Sequence, residues 1–225
     1  MEERSSARDP FTRLGPPWHV CLEEAWAAYA ADSIPIGAAY TAEDGTVLLQ
    51  GRNRLAEAAA PQPFLSGSRV AHAEMNVLVQ MPVESYAAAA KGRLYTTLEP
   101  CPMCFGAALM CGVREIRYGA RDRWAGAGNL RQASPYVASK NVRVVGPEPF
   151  VQAVSLVLMT EHTLRRGPRR AEEIVAAFAE EDAAAVALGR EWLRTGYLQR
   201  SARAEVPIAV VCLEVWRRIG AGHLA

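Results

Sequence analysis

Between Pro17 and Ala31 the apolar side chains fall at Trp18, Cys21, Leu22, Ala25, Trp26 and Tyr29. Spacings of three and four draw one face of an amphipathic helix, and Pro17 suits its first turn, where a missing N–H costs nothing. Asp32-Ser33 ends it, and Ile34-Pro35-Ile36-Gly37-Ala38-Ala39-Tyr40 begins a strand. Glu43-Asp44-Gly45 is a turn signal and Thr46 to Gln50 returns, so the two runs predict a hairpin. A loop with two prolines and two glycines follows from Gly51 to Ser68. Helical spacing resumes over Val70 to Gln80, in Ala71, Met75, Leu78 and Val79. Leu94 to Leu98 is β-branched and aromatic, hence a strand, and it stops at Glu99-Pro100. Cys101 to Cys111 continues as an apolar helix. Arg114 to Gly119 and Val142 to Val145 are further strands. Phe150 to Leu164 is apolar nearly all round at its start, as a helix covered on both sides would be. Strands alternating with helices imply an α/β sheet layered with helices.

The first 16 residues are polar and mixed in charge, which predicts a loose tail. From Gly167 the composition shifts again. Arg169 to Arg194 is rich in alanine and glutamate, both strong helix formers, and Glu205 to Ile219 predicts another helix. The longest apolar run, Ala153 to Met159, falls far short of the roughly 18 residues that span a bilayer, so no membrane partner is expected. Met1-Glu2-Glu3 opens on acids with no apolar core behind it, unlike a secretory signal. Five cysteines, two of them in C-x-x-C, then suggest metal binding in a reducing compartment rather than a disulfide framework. The expected location is cytoplasmic. A net charge of +1 argues neither for nor against an acidic partner.

Two short stretches carry the candidate chemistry: His72-Ala73-Glu74 and Pro100-Cys101-Pro102-Met103-Cys104. His72, Cys101 and Cys104 supply three zinc ligands, and a catalytic zinc keeps three protein ligands so that water can take the fourth place. Glu74 stands too close to His72 for a comfortable fourth ligand, but can touch a bound water. Pro100 stops the strand and Cys101 is expected in a first helical turn, which puts Cys101 and Cys104 on one face. His72 is likewise expected in the first turn of its helix. A lone C-x-x-C is equally a structural zinc site or a redox pair. A structural site needs a fourth ligand, however, and Cys111 is about 10 Å along the helix from Cys104. A redox pair would leave His72 and Glu74 unexplained. Cys21 and Cys212 read as core thiols; His19, His162 and His223 have no partner motif and read as core or solvated.

The pattern H-x-E…P-C-x-x-C resembles the signature of the zinc-dependent nucleobase deaminases, the cytidine/deoxycytidylate deaminase superfamily. Further likeness points to the branch holding tRNA adenosine, cytosine and guanine deaminases. Ile34-Pro35-Ile36-Gly37-Ala38 resembles its V-P-V-G-A strand and Gly51-Arg52-Asn53 its G-x-N. Thr97-Leu98-Glu99-Pro100-Cys101 and Tyr118-Gly119-Ala120-Arg121-Asp122 are also similar. The resemblance covers residues 17–164. It implies a three-layer α/β/α domain with a mixed sheet of about five strands, followed by a helical extension over 165–225 that it does not cover. It also implies zinc as cofactor, Glu74 as the proton-carrying catalytic residue, and a homodimer. Asn53 and the Ala73 backbone N–H would hold the polar edge of the base. Ile34, Pro35 and Leu98 would flank it, Trp124 would serve as a stacking lid, and Glu99 would brace a turn.

Substrate is the open part. Gly112 to Arg143 carries seven Lys or Arg against two acids, which a phosphate backbone would select. Against RNA, the whole chain is near neutral, and the loop from Asn53 to His72 is about four residues longer than in the tRNA enzymes it resembles. Arg69-Val70-Ala71 replaces their proline-threonine-alanine, and added C-terminal helices could narrow the mouth. The preferred expectation is a deaminase of a free base or nucleoside. A tRNA adenosine deaminase is the alternative, and a non-catalytic zinc-binding interaction module the alternative of another class.

Overall fold

The computed structural model describes residues 10–220; the first nine residues of the expected tail and His223 lie outside them. Helices α1 (Pro10–Arg13) and α2 (Pro16–Ala30) lead into strands β1 (Gly37–Thr41) and β2 (Val47–Arg52). Next come α3 (Ala73–Leu78), α4 (Tyr86–Ala89), β3 (Arg93–Leu98), α5 (Pro102–Met110) and β4 (Glu115–Ala120). After α6 (Pro135–Ser139) and β5 (Arg143–Val145), the long α7 (Pro149–Arg166) precedes α8 (Ala171–Ala179), α9 (Ala183–Thr195), α10 (Tyr197–Arg203) and α11 (Ile208–Ile219).

The five strands form one mixed sheet in the order β2-β1-β3-β4-β5. β1 runs antiparallel to β2 and β3, while β3, β4 and β5 are parallel. Every residue of β3 from Leu94 to Leu98 is buried, as a strand covered on both faces requires. One face carries α3 and α5, whose Val77, Leu78, Phe105 and Leu109 meet Leu94 and Ile116 of the sheet. The other carries α2 and α7, and the expectation of an α/β/α sandwich holds. Gly37 is where β1 passes closest to α2. A Cβ there would lie 2.1 Å from the Cys21 carbonyl oxygen, so no other residue fits without separating the layers.

Helices α8 to α11 join the same core as α2 and α7. Val175, Phe178, Val186, Trp192, Leu198 and Val211 pack with Leu22, Trp26, Val154 and Leu158. Gly189 lets α9 lie directly against α7, because a Cβ there would come within 2.7 Å of Thr160 Cβ. Trp26 Nε1 donates to the Val206 carbonyl at 2.8 Å, tying the far end of the chain to α2.

The elements differ from the periodicity reading where polar side chains or proline intervene. Residues 10–13, expected to be loose, form a helical turn whose Phe11 stacks on His19 at 4.5 Å. His19 Nε2 donates to the Phe11 carbonyl at 2.7 Å. The alanine- and glutamate-rich run is two helices rather than one, because Asp182 caps α9 by accepting from Ala185 N at 2.8 Å. The last helix begins at Ile208 rather than Glu205, since Pro207 disfavours helical backbone in the residue before it.

Candidate metal centre and its cavity

His72 and Cys101 are each the residue immediately before a helix, at the N-caps of α3 and α5, one position earlier than their expected first turns. Pro102 occupies the first helical position of α5, and Cys104 follows on the same side. In this arrangement His72 Nδ1 lies 3.7 Å from Cys101 Sγ and 3.4 Å from Cys104 Sγ, with the sulfurs 3.7 Å apart. A tetrahedral ion with Zn–S of about 2.3 Å and Zn–N of about 2.0 Å sets S···S near ~3.8 Å and S···N near ~3.5 Å. The three donor atoms therefore stand at the separations zinc requires. No fourth His, Cys, Asp or Glu among the described residues joins the cluster. Cys111 caps the opposite end of α5. Three ligands and an open position are the composition of a catalytic rather than a structural zinc site.

Sharing a proton with Cys104 holds the Cys101 thiol down to about 4, while the same contact raises Cys104. The pair thus offers one thiolate outright and a second on release of one proton, which metal binding drives. Glu74 is 4% exposed, and its Oε1 accepts from Thr96 Oγ1 at 3.1 Å. Burial pushes its carboxyl upward, opposed by its own backbone N–H and by His72.

His72, Cys101 and Glu74 line a cavity of about 370 Å³ beside Leu98 at the C-terminal end of the central strand β3, in the small part of the range for ligand pockets. Of the residues expected to meet substrate, Ile34, Leu98 and Trp124 are in its wall. Pro35, Asn53 and Ala73 are not among its lining residues. Asn53 is 1% exposed, and its side-chain oxygen accepts from Leu55 N at 3.0 Å, so it shapes the loop that presents Leu55 to the cavity. Glu99 braces a turn as expected: its carboxylate accepts from Asp122 N at 3.2 Å and Gly128 N at 3.1 Å. Asp122 in turn accepts from Trp124 N at 2.9 Å. The Trp124 ring is 40% exposed, with the Arg170 guanidinium 4.9 Å from its centroid.

The rest of the wall has no counterpart in the sequence motifs. It comprises Asp32 and Ser33, then Met159, His162, Thr163 and Arg166 of α7, then Pro168, Ile174 and Phe178. The chain after residue 164 therefore closes the cavity instead of standing apart from it. Arg123 beside Trp124 is also paired with Glu181, in the turn between α8 and α9.

Residues 17–120 match the family described as the cytidine and deoxycytidylate deaminase zinc-binding region. The chain is 33% identical over 114 residues to a cytosine deaminase of Candida albicans, covering 49% of this chain and 69% of that one. It is 36% identical over 110 residues to a tRNA-specific adenosine deaminase of Agrobacterium fabrum, covering 48% and 66%. It is 35% identical over 132 residues to a tRNA(Ile)-lysidine synthase of Deinococcus radiodurans, covering 54% of this chain. Of that last relative's own length the chain spans only 20%.

Proposed function

The chain belongs to the cytidine and deoxycytidylate deaminase family, and from that premise we propose a hydrolytic deaminase of a free nucleobase or nucleoside. Its substrate is an amino-heterocycle of the cytosine or guanine kind, which loses ammonia. The observation that carries this reading is the shared cavity. His72, Cys101 and Glu74 open into a space roofed by Ile174 and Phe178 of the C-terminal helices, dimensions suited to a small planar ring.

His72, Cys101 and Cys104 would hold a zinc ion. Bound zinc supplies the Lewis acidity that makes water a nucleophile near neutral pH. Glu74 would carry two protons in turn, one from the attacking water to the ring nitrogen and a second, from the hydroxyl so formed on the ring carbon, to the amine that leaves as ammonia; one carboxyl serves both transfers because they are consecutive. Thr96 Oγ1 fixes the orientation of that carboxyl from behind. Ile34, Leu98 and Leu55 enclose the ring and exclude solvent, with Trp124 placed to stack at the mouth. Asn53 and the Ala73 backbone N–H are assigned to the polar edge of the base by their family positions alone, since neither lines the cavity. A non-catalytic zinc module explains less. Burying an acid at 4% exposure costs free energy, and such perturbed groups gather at reacting sites.

A tRNA adenosine deaminase is the second reading. It is favoured by a neighbouring cleft of about 400 Å³ lined by Arg121, Arg123 and Arg131. Two of these are already engaged, Arg121 with the Tyr118 hydroxyl at 3.0 Å and Arg123 with Glu181, which leaves less charge for a phosphate backbone. Ammonia release from cytosine, guanine, adenine, their nucleosides and unmodified tRNA distinguishes the readings. Turnover of a base or nucleoside supports the first; turnover of tRNA alone replaces it with the second. Among the described residues no helix is long and apolar enough to cross a membrane. A cytoplasmic homodimer is the proposed setting, and light scattering behind a sizing column checks the assembly.

A further inference from the structure

Trp124 carries a contact that the family motifs do not explain. Its indole lines the cavity and is partly exposed. The backbone is set from the metal side: Asp122 accepts from Trp124 N at 2.9 Å and from Ala125 N at 3.0 Å. Ala127 N donates to the Pro100 carbonyl at 2.9 Å, next to the ligand Cys101. These are main-chain bonds, and they leave the ring free to turn. The ring is met instead by Arg170, whose guanidinium carbon lies 4.9 Å from its centroid. Arg170 is the residue before α8 and is not part of the cavity wall. It lies beyond the family match at residues 17–120. Its Nε is engaged with Glu173 at 3.1 Å, which holds the guanidinium beside the first turn of α8. Arg123, the neighbour of Trp124, is paired with Glu181, so two consecutive residues at the cavity mouth are tied to the C-terminal helices.

An exposed indole samples several rotamers, and ordering it on binding costs affinity. A cation within about 6 Å of the ring centroid is attracted to the ring face, and arginine adds a flat surface to stack on it. The contact is not needed to dock α8, because Val175 and Phe178 already fix that helix in the core. Trp124 is the partner with freedom to lose. Since Arg170 stays out of the cavity wall, it takes none of the space a substrate would fill. Resting on the deaminase reading, we propose that Arg170 is a positioning residue. It backs the Trp124 indole from the C-terminal helices and holds the ring pre-set to stack on a heteroaromatic base entering the cavity. It acts through the indole alone and makes no contact with a neutral base.

The test uses the full-length, zinc-loaded protein. Trp124 emission is isolated by difference against Trp124→Phe, and its anisotropy and acrylamide quenching are compared with and without Arg170→Ala. Ammonia release gives kcat and KM on cytosine, guanine and their nucleosides, and calorimetry gives Kd for the same compounds in a Glu74→Gln background. Arg170→Ala should lower the anisotropy of Trp124 and increase its quenching. For whichever compound is turned over, it should raise KM and Kd about two- to fivefold and leave kcat and zinc content unchanged. Trp124→Ala should raise KM and Kd by about 5- to 150-fold. Adding Arg170→Ala to that variant should cost nothing more, because the ring it acts through is gone. Arg170→Lys, which keeps the cation, should restore part of the loss. An unchanged Trp124 signal, unchanged KM and Kd in Arg170→Ala, a lysine variant no better than alanine, or losses that multiply in the double variant overturn the assignment while the deaminase reading stands. Absence of turnover on every base and nucleoside removes that reading, and this assignment with it.

Discussion

Replacing Phe178 with alanine probes how far the C-terminal helices are part of the catalytic domain. Phe178 is 1% exposed; it packs into the core that α2 and α7 share with α8 to α11 and also forms a wall of the metal-side cavity. Truncating a buried phenylalanine costs about 3–5 kcal/mol. One side of this ring borders a space that water can enter, so the lower end, about 3 kcal/mol, is expected. The same deletion removes an apolar contact from substrate, for which about tenfold in KM is the expected scale. Urea unfolding followed by far-ultraviolet dichroism and by tryptophan fluorescence reads the first effect. The two probes should shift together, because one core is being weakened. Ammonia kinetics read the second, and zinc content should not change. A loss below about 0.5 kcal/mol, or an early transition confined to the last helices with KM unaltered, would refute the idea that the extension builds the pocket.

Two further outcomes follow from the metal centre and from α7. Cys104→Ser should lose zinc, whereas Cys111→Ser, altered at the far end of α5, should keep about one equivalent; metal analysis after dialysis checks both, and loss of zinc from the Cys111 variant would mean the ligand set is misassigned. His162 is held near 4 by burial against an ordinary value of 6.5, so the unfolded chain takes up a proton that the folded chain refuses. Its contribution is intact above pH 6.5 and is lost as pH falls toward 4, a difference of about 3 kcal/mol in full. Denaturation at pH 7 and pH 4 should show a smaller acid loss in His162→Gln than in the unaltered protein, and equal losses would contradict the burial argument.

The metal centre was legible because its ligands sit in two short local patterns whose spacing has one chemical use. The sheet was legible because β1, β3 and β4 are apolar runs of strand length between helical periods. The back of the cavity was not. His162 and Phe178 belong to its wall only because α7 crosses the central strands and α8 packs back against α7, and neither step leaves a local signature. A trace exists in hindsight: Thr160-Glu161-His162-Thr163 interrupts an apolar helix yet stays buried, and buried polar residues require a partner. Asn53 shows the opposite limit, since its motif position speaks of the base while its side-chain oxygen is engaged with Leu55 N. Helix ends were displaced by side-chain capping at Asp182 and by Pro207, effects smaller than a periodicity window resolves.

The central claim, a zinc-held water worked on by a buried carboxyl, is tested most directly by Glu74→Gln assayed on whichever substrate the unaltered protein turns over. The variant should hold about one zinc per chain and lose about 10²- to 10⁴-fold in kcat, the range for a positioned acid–base group. Full zinc with undiminished kcat would contradict it.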